Sequence, residues 1–434
     1  MSHTRRVFLQ KGLTLVSAAV TVPTFIDKTV WALADPLDTH RTQRDSGTDG
    51  KILVVVQLSG GNDGLNTVIP FADDTYQRLR PGLAKAADQV LKINNYIGLH
   101  PNLTAIKSMF DDGAASVFQG VGYPNPNRSH FRSMDIWHSA RPDDDTPTSG
   151  WLGRYFDNTC TGDDPHAGVA MGDVAPLAMK GERITPLSFE RPENYRYKGS
   201  DVERYHELNS TVGIDGRSKK QIDSGAARTK RPQIITPTSQ LEFLTRTAMD
   251  ARISSEQITR MVNNYQTPAD YPRGEFGQGL RTTAAMIKGG LPTRVYYVSL
   301  GGFDTHANQG GRHDNLMQQL SQGVDAFWKD MRDQKNDQRV LMMCFSEFGR
   351  RVEVNASGGT DHGAAAPMFL LGPAISKRAG VVGNHPSLTD LDGGDLKYST
   401  DFRQIYATVL QDWLDCPSKQ ILGQQFKTIP IFKS

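Results

Sequence analysis

Short apolar runs alternate with amphipathic stretches along most of this chain. Five of the runs are continuous, which is typical of strands buried on both faces of a mainly parallel sheet. They are residues 51–57, 115–119, 294–300, 340–345 and 367–371. Apolar residues recur at helical spacing in residues 102–111, 130–139, 316–331 and 402–414. This order of elements predicts an α/β fold with a doubly wound, mainly parallel sheet flanked by helices.

The N-terminal segment follows a different pattern. Arg5 and Arg6 precede Val-Phe-Leu, a mildly apolar run spans residues 12–26, and Trp-Ala-Leu-Ala follows. This order is typical of a cleavable export signal, and the arginine pair resembles the twin-arginine type, with Gln10 where lysine is usual. The apolar run is too short and too polar for a stable transmembrane span. We expect residues 1–34 to be a signal peptide that engages the twin-arginine export machinery; the alternative is a basic tail ahead of a core helix.

The rest of the chain is predicted to be one domain with an insertion. Residues 35–50 form a polar linker, and residues 51–434 form the α/β domain. Within it, residues 190–233 are polar and irregular, and residues 239–265 are predicted to form a long helix. We expect a mostly helical insertion, or cap, over about residues 190–290.

The charge balance argues against a nucleic-acid ligand. The 434 residues include 49 Lys and Arg and 47 Asp and Glu; residues 1–34 hold four of the basic and one of the acidic residues, so 45 and 46 remain. A chain without an excess of positive charge does not attract a polyanion non-specifically.

The three cysteines, Cys160, Cys344 and Cys416, are too few for a disulfide-stapled fold. One bridge between Cys160 and Cys416 stays open, and Cys344 is expected to be a buried, inert thiol.

Polar clusters lie at the ends of the predicted strands. Four of them follow a strand: GGNDG with Asp63, NRSH with Ser129 and His130, GGFDTH with Asp304 and His306, and SEFGR with Glu347. A fifth, GGTDHG with Asp361 and His362, lies just ahead of the last predicted strand. The carboxyl ends of parallel strands share one edge of an open sheet, where ligands bind. We therefore expect the clusters to converge at that edge.

Six of these side chains are candidate metal ligands: Asp63, Asp304, His306, Glu347, Asp361 and His362. Carboxylate and imidazole ligands without a thiolate suit divalent ions such as Zn²⁺, Mn²⁺, Mg²⁺ or Ca²⁺. Carboxylates that converged without a cation would raise one another's pKa, so we expect one or two ions unless the carboxylates stay apart. In the alternative interpretation, Asp63 is a turn or N-cap residue and Glu347 pairs with Arg350 or Arg351.

Ser129 precedes a predicted helix and has two open roles. Its hydroxyl is either the N-cap of that helix or a nucleophile beside a metal. The free N–H groups at a helix start also suit a phosphate or sulfate. We predict Ser129 and His130 as the catalytic residues, with His130 and Arg128 contacting the anion unless they are surface residues. Further along this helix, Asp135 and His138 are expected to form a local pair.

The motifs together resemble a known family. The export signal, GGNDGLNTVIP, NRSHF, GGFDTH, SEFGR and GGTDHG are similar to the bacterial family called domain of unknown function 1501, over essentially the whole mature chain. That family is similar to the alkaline-phosphatase-like superfamily, which includes phosphatases and sulfatases. The resemblance implies an alkaline-phosphatase-like sheet, paired metal sites and a serine, threonine or modified-cysteine nucleophile.

The resemblance also implies roles for particular residues. By position, Ser129 resembles the nucleophile, and the residues that resemble ligands are Asp63, Asp304 with His306, and Asp361 with His362. Glu347 has no counterpart, Asp304 and His306 are spaced by one residue rather than three, and His385 is a candidate for the late histidine ligand. A Cys-x-Pro-x-Arg motif is absent from the sequence, which argues against a formylglycine sulfatase.

Three functions remain open from the sequence. The first is an exported, periplasmic or secreted, metal-dependent hydrolase of phosphate or sulfate esters, with a small-molecule or polysaccharide ester as substrate and Ser129 as nucleophile. The second is an inactive anion-binding, carbohydrate-binding or cell-surface assembly protein on the same fold. In the third, a metal-activated water attacks and Ser129 only positions the substrate.

Overall fold

The computed structural model describes residues 50–158, 165–184, 186–191 and 256–433. The chain divides into two compact units, and the larger, Arg41–Arg191 with Met261–Ser434, contains every element labelled below. The predicted signal peptide, nearly all of the linker, Cys160 and most of the predicted insertion lie outside the described residues. Of the predicted helix over residues 239–265, residues 256–265 are described; residues 256–263 are helical, and residues 264 and 265 lie beyond the end of the helix.

Strands occur where the apolar runs predict them. In chain order they are β1 (Ile52–Leu58), β2 (Val68–Ile69), β3 (Leu91–Lys92), β4 (Gly98–Leu99), β5 (Ala115–Gly122), β6 (Gly168–Met171), β7 (Leu187–Phe189), β8 (Val295–Leu300), β9 (Val340–Phe345), β10 (Arg350–Val354), β11 (Thr360–His362), β12 (Ala366–Leu371), β13 (Val381–Val382), β14 (Leu391–Asp392), β15 (Asp395–Leu396) and β16 (Thr400–Asp401). The five predicted strands correspond to β1, β5, β8, β9 and β12.

The central sheet is mainly parallel, which confirms the predicted fold class. Its strand order is β13-β5-β12-β9-β1-β8-β6-β7, and β16 also pairs with β5. Each of these pairs is parallel except the two that β12 makes, with β5 and with β9. Every residue of β1 is buried, as its continuous apolar pattern predicts.

Helices flank the sheet. The labelled α-helices are α1 (Gly64–Thr67), α2 (Asp74–Leu79), α3 (Thr104–Asp111), α4 (His130–Ser139), α5 (Trp151–Asp157), α6 (Glu275–Lys288), α7 (Gln309–Asp333), α8 (Phe402–Thr408) and α9 (Ser418–Leu422). Helix α8 continues as a π-helical turn, Val409–Trp413. Helix α7 begins at Gln309, well before the predicted start at residue 316. The prediction missed the first two turns because their residues are polar, although Gln309 and His313 are buried.

Both faces of the sheet are covered. Tyr297 of β8 lies in a buried cluster with Trp137 of α4 and Tyr406 of α8. Its neighbour Val298 points to the opposite face, since side chains alternate along a strand. There α6 approaches closely, because a Cβ at Gly279 would lie 3.0 Å from Val298 Cγ1. None of the helices in the described residues combines the length and apolar character needed to cross a membrane.

The reversed direction of β12 decides where the fifth polar cluster lies. The parallel strands β1, β8 and β9 end at one edge of the sheet, and an antiparallel neighbour must begin at that same edge. Strands β10 and β11 pair antiparallel there, with Arg350 opposite His362. The segment ahead of β12 therefore returns Asp361 and His362 to the edge where the other clusters lie.

Candidate metal centre

Three histidines and one aspartate meet at the carboxyl edge of the sheet. Asp304 and His306 follow β8, His362 ends β11, and His130 is the first residue of α4. Asp304 Oδ1 lies 3.0 Å from His306 Nε2 and 3.1 Å from His362 Nε2. Asp304 Oδ2 lies 3.5 Å from His130 Nε2. These four residues are called the Asp304 cluster below.

The outer nitrogen of each ring in the cluster has an acceptor. His130 Nδ1 lies 3.0 Å from Glu347 Oε1, and His306 Nδ1 lies 3.3 Å from Asp361 Oδ1. His362 Nδ1 lies 2.8 Å from the carbonyl oxygen of Arg128. A neutral ring that donates its Nδ1–H presents a lone pair at Nε2, which is the arrangement that metal-binding histidines use.

The inner nitrogens lack partners that would satisfy them. His306 Nε2 and His362 Nε2 lie 2.9 Å apart, although neither is a donor when its Nδ1 carries the proton. His130 Nε2 is buried and has no hydrogen-bond partner among the described residues. The ligand atoms of His130, Asp304 and His362 all lie within 4.8 Å of one another, and His306 Nε2 contacts Asp304 and His362 of this group. A tetrahedral ion with bonds of about 2.0–2.2 Å separates its ligand atoms by about 3.3 Å, close to the 3.0–3.5 Å between Asp304 and each histidine. The donor set therefore fits a divalent metal ion.

Arg350 holds the loops of this site together. The side chain is fully buried and donates to Asp304 Oδ1 at 2.8 Å. Its other bonds go to the carbonyl oxygens of Gly60, Gly61, Phe303 and Thr360. Burial alone would raise the pKa of Asp304, but the hydrogen bond from Arg350 and its charge hold that pKa well below its usual value. The sequence did not predict this role for Arg350, because five bonds to three segments that are distant along the chain leave no local pattern.

Glu347 and Asp361, predicted as ligands, contact the outer sides of histidine rings. Glu347 is fully buried and also accepts the backbone N–H of Gly60 at 2.8 Å. The alternative pairing of Glu347 with an arginine is not seen, since Arg350 binds Asp304 and Arg351 lies 3.4 Å from Asp395. Both acids are placed to orient rings of the cluster.

Asp63 lies in a separate buried network. Its Oδ2 is 2.6 Å from Arg80 Nη1 and also accepts a hydrogen bond from Gln309. Burial alone would raise the pKa of Asp63, but the charge of Arg80 holds it below its usual value. Asp63 is the N-cap residue of α1 by position, yet its side chain makes no capping bond. The predicted convergence therefore includes Asp304, His306, Glu347, Asp361 and His362 but not Asp63.

Ser129 directly precedes His130 of the cluster, and its hydroxyl makes no hydrogen bond with the described residues. It is the N-cap residue of α4, but its side chain makes no capping hydrogen bond and is exposed. Its backbone N–H donates to Asn127 Oδ1 at 2.8 Å instead. The residues on either side, Arg128 and His130, both contact or belong to the cluster. The Ser129 hydroxyl therefore does not cap α4, and its role as a nucleophile stays a prediction.

Two other predicted histidine roles meet different surroundings. His138 does not pair with Asp135; its Nε2 lies 3.1 Å from Gln57 Oε1 and 3.2 Å from the Tyr297 hydroxyl. Burial lowers the pKa of His138 to about 3. His385 Nδ1 contacts the carbonyl oxygen of Pro386, and that histidine lies outside the Asp304 cluster.

A second group of ligand-type residues lies deeper in the protein: His100, His313 and Asp314, called the inner group below. His100 Nδ1 accepts the backbone N–H of Asn102, so its Nε2 carries the proton and donates to Asp314 Oδ1 at 2.8 Å. Lys85 Nζ lies 2.6 Å from the same oxygen. A lysine thus supplies the positive charge there, and His100 has no free lone pair for a metal.

The fold and the site define an α/β protein with a candidate metal centre at the carboxyl edge of its sheet. The chain belongs to the family described as "Protein of unknown function (DUF1501)", whose model matches residues 50–414. This confirms the family resemblance drawn from the motifs. No curated protein matches the sequence.

Several solved structures are remotely similar. The sulfatase PsFucS1 from Pseudoalteromonas sp. is 10% identical with a TM-score of 0.37, covering 94% of this chain and 75% of that one. A protein in the alkaline phosphatase superfamily from Vibrio parahaemolyticus is 9% identical with a TM-score of 0.32, covering 83% and 71%. Alkaline phosphatase from the Antarctic bacterium TAB5 is 11% identical with a TM-score of 0.29, covering 77% and 95%.

Proposed function

We propose that this chain is an exported, metal-dependent hydrolase of phosphate or sulfate esters. The observation that carries the proposal is the Asp304 cluster: three inner ring nitrogens, each oriented by an acceptor on its outer nitrogen, face one carboxylate. The proposed ligands are His130, Asp304, His306 and His362. The side chains of Asp304 and His306 are 48% and 45% exposed, so a substrate can reach the site.

The charges around the cluster suit an anionic ester. Arg350 neutralises Asp304, so the remaining ligands, which are imidazoles, bring no negative charge to repel a phosphate or sulfate. A divalent ion, when bound, would supply a Lewis acid that favours an ionised neighbouring hydroxyl and stabilises charge on the reacting group. Because Arg350 is buried and bonded to the protein, it organises the site and does not reach the substrate.

Ser129 is the proposed nucleophile. Its hydroxyl is exposed, makes no capping bond and lies between two residues that contact or belong to the cluster. In the proposed reaction, Ser129 Oγ gives its proton to water and bonds to phosphorus or sulfur, while the bond from that atom to the alcohol oxygen breaks and the alcohol leaves with a proton taken from water. Water then hydrolyses the enzyme ester, which releases phosphate or sulfate and restores the serine.

Ser129→Ala tests this function. We expect the variant to retain its fold and metal content but to lose turnover of aryl phosphate and sulfate esters, because the attacking oxygen is gone. The stability cost should stay below about 1 kcal/mol, since the hydroxyl caps nothing. A slow substrate should leave an ester on Ser129 of the wild type, detectable by peptide mass spectrometry.

Ser108→Ala is the matched control, because Ser108 is an exposed helical serine on α3. Its turnover should equal that of the wild type. If Ser129→Ala still hydrolyses esters and no covalent species forms, Ser129 only positions the substrate. If the metal-loaded wild type binds anions but hydrolyses neither class of ester, the binding-protein function is favoured.

Export is part of the proposal and has its own test. Replacing Arg5 and Arg6 together with lysine should leave unprocessed protein in the cytoplasm, because the weak apolar run makes the arginine pair the distinctive signal. Cell fractionation with immunoblotting measures this. Normal processing of the double variant would rule out the twin-arginine route.

A further inference from the structure

Two arginines next to the Asp304 cluster share one buried carboxylate. Arg128 Nε lies 3.3 Å from Asp395 Oδ2, and Arg351 Nε lies 3.4 Å from Asp395 Oδ1. The arginine side chains are 45% and 36% exposed, whereas that of Asp395 is 5% exposed. Asp395 therefore anchors two guanidinium groups that remain open to solvent. Arg128 and Arg351 are called the arginine pair below.

The backbone ties this pair to the candidate centre. The carbonyl oxygen of Arg128 accepts from His362 Nδ1 at 2.8 Å. Arg351 directly follows Arg350, which binds Asp304 and lies opposite His362 in the β10–β11 ladder. Both members of the pair are thus connected to the cluster through its own residues.

Both arginines of the pair have guanidinium N–H groups that make no hydrogen bond with the described residues. Arg128 meets Asp395 through Nε, and its terminal nitrogens make no hydrogen bond with any described residue. Arg351 gives one terminal nitrogen to the carbonyl oxygen of Gly393 at 3.1 Å. Asp392, the other acid of the β14–β15 hairpin, is exposed and forms no ion pair with either arginine in the described chain. In contrast to the fully engaged Arg350, the pair can bind a ligand.

We propose that Arg128 and Arg351 bind a second anionic group of the substrate, so that the substrate is a polyanionic ester rather than an ester of a neutral alcohol. This inference rests on the proposed function for the reacting ester. Guanidinium groups bind sulfate, phosphate and carboxylate through paired, charge-assisted hydrogen bonds. The reacting group belongs at the Asp304 cluster, and the arginine pair receives the neighbouring charge.

Calorimetric titration of the metal-loaded protein with matched disaccharides carrying one or two sulfate groups tests the proposal. We expect the wild type to bind the disulfated sugar about tenfold more tightly, since a charge-assisted contact adds on the order of this factor. Arg128→Gln and Arg351→Gln should each reduce that preference severalfold, with a smaller loss of affinity for the monosulfated sugar than for the disulfated sugar. Each single variant keeps one arginine on Asp395, so that the buried carboxylate is not left unpaired.

Arg378→Gln is the matched control. Arg378 is exposed and precedes β13, which runs parallel to β5, so it lies at the opposite edge of the sheet. The Arg378→Gln variant should prefer the disulfated sugar over the monosulfated one to the same extent as the wild type. The proposal is overturned if the wild type shows no preference, if both arginine variants keep it, or if both sugars lose affinity equally, which would place the arginines on the reacting group.

The failure of the hydrolase proposal would look different. If the wild type hydrolyses no ester but prefers the disulfated sugar, and the arginine variants lose that preference, the result supports the second anion site and rejects the proposed hydrolysis. If Ser129→Ala abolishes turnover while the arginine variants keep the preference, the result supports the proposed hydrolysis and rejects the second anion site.

Discussion

The Asp304 cluster and the inner group contain the same kinds of side chain but differ in how the ring nitrogens are engaged. In the Asp304 cluster, the outer nitrogens meet Glu347, Asp361 and a carbonyl oxygen, and the inner nitrogens converge without partners that satisfy them. In the inner group, His100 accepts a backbone N–H and donates to Asp314, and Lys85 provides the charge.

This difference shows that ligand-type residues in proximity do not by themselves make a metal site. A histidine can bind a metal through one nitrogen only if that nitrogen keeps its lone pair, and the partner of the other nitrogen decides this. A lysine close to the carboxylate further disfavours a second cation. We therefore expect metal at the Asp304 cluster and not at the inner group, where His313 Nδ1 is the ring nitrogen without a hydrogen-bond partner among the described residues.

The largest effect is expected on metal content. His362→Ala should remove most of the bound divalent metal, because it deletes an inner nitrogen of the cluster and its contact with Asp304. His100→Ala should leave the metal content unchanged, because that ring has no free lone pair. Mass spectrometric metal analysis of the two purified variants distinguishes the groups. The reverse result, with metal lost only in His100→Ala, would invert the assignment.

A smaller effect is expected when an outer acceptor is changed. Glu347→Gln should weaken metal binding about 10- to 100-fold, since the acceptor of a metal-bound histidine is worth roughly that much. The negative charge of the Glu347 carboxylate strengthens the hydrogen bond that it accepts from His130 Nδ1–H, and the neutral amide of glutamine would accept a weaker one. Asp314→Asn is the matched control in the inner group and should leave the affinity unchanged in a competition titration. Equal affinity in wild type and Glu347→Gln would show that Glu347 only supports the loop at Gly60.

The smallest effect is expected on the pH dependence of stability. Burial lowers the pKa of His313 to about 4, against an ordinary value of about 6.5. Between these values the unfolded chain binds a proton that the folded chain does not, so stability falls as the pH is lowered from 6.5 towards 4. The slope from this residue approaches about 1.4 kcal/mol per pH unit.

Urea unfolding of metal-free protein across this pH range measures the slope. His313→Gln should flatten it, because glutamine does not titrate but can still donate to Asn62. A variant with the slope of the wild type would mean that His313 is protonated in the folded protein, which would bring a cation into the inner group.

The fold was largely predictable because burial of strands leaves a one-dimensional trace. Continuous apolar runs marked β1, β8 and β9, and helical spacing marked α4 at its observed bounds. The start of α7 was missed, since Gln309 and His313 are polar residues buried for their hydrogen bonds. The direction of β12 was also out of reach, because a run of apolar residues reads the same in a parallel and an antiparallel strand.

By itself, the sequence determined the α/β class, the family and the set of polar segments at the sheet edge. Only the tertiary structure decided which of those side chains meet. Asp63 and Asp304 both follow strands and both pair with a buried arginine, yet Asp63 lies in a buried network with Gln309 whereas Asp304 faces three histidines. The reason is that a carboxylate takes its role from the charges and donors around it, and these come from segments far apart along the chain.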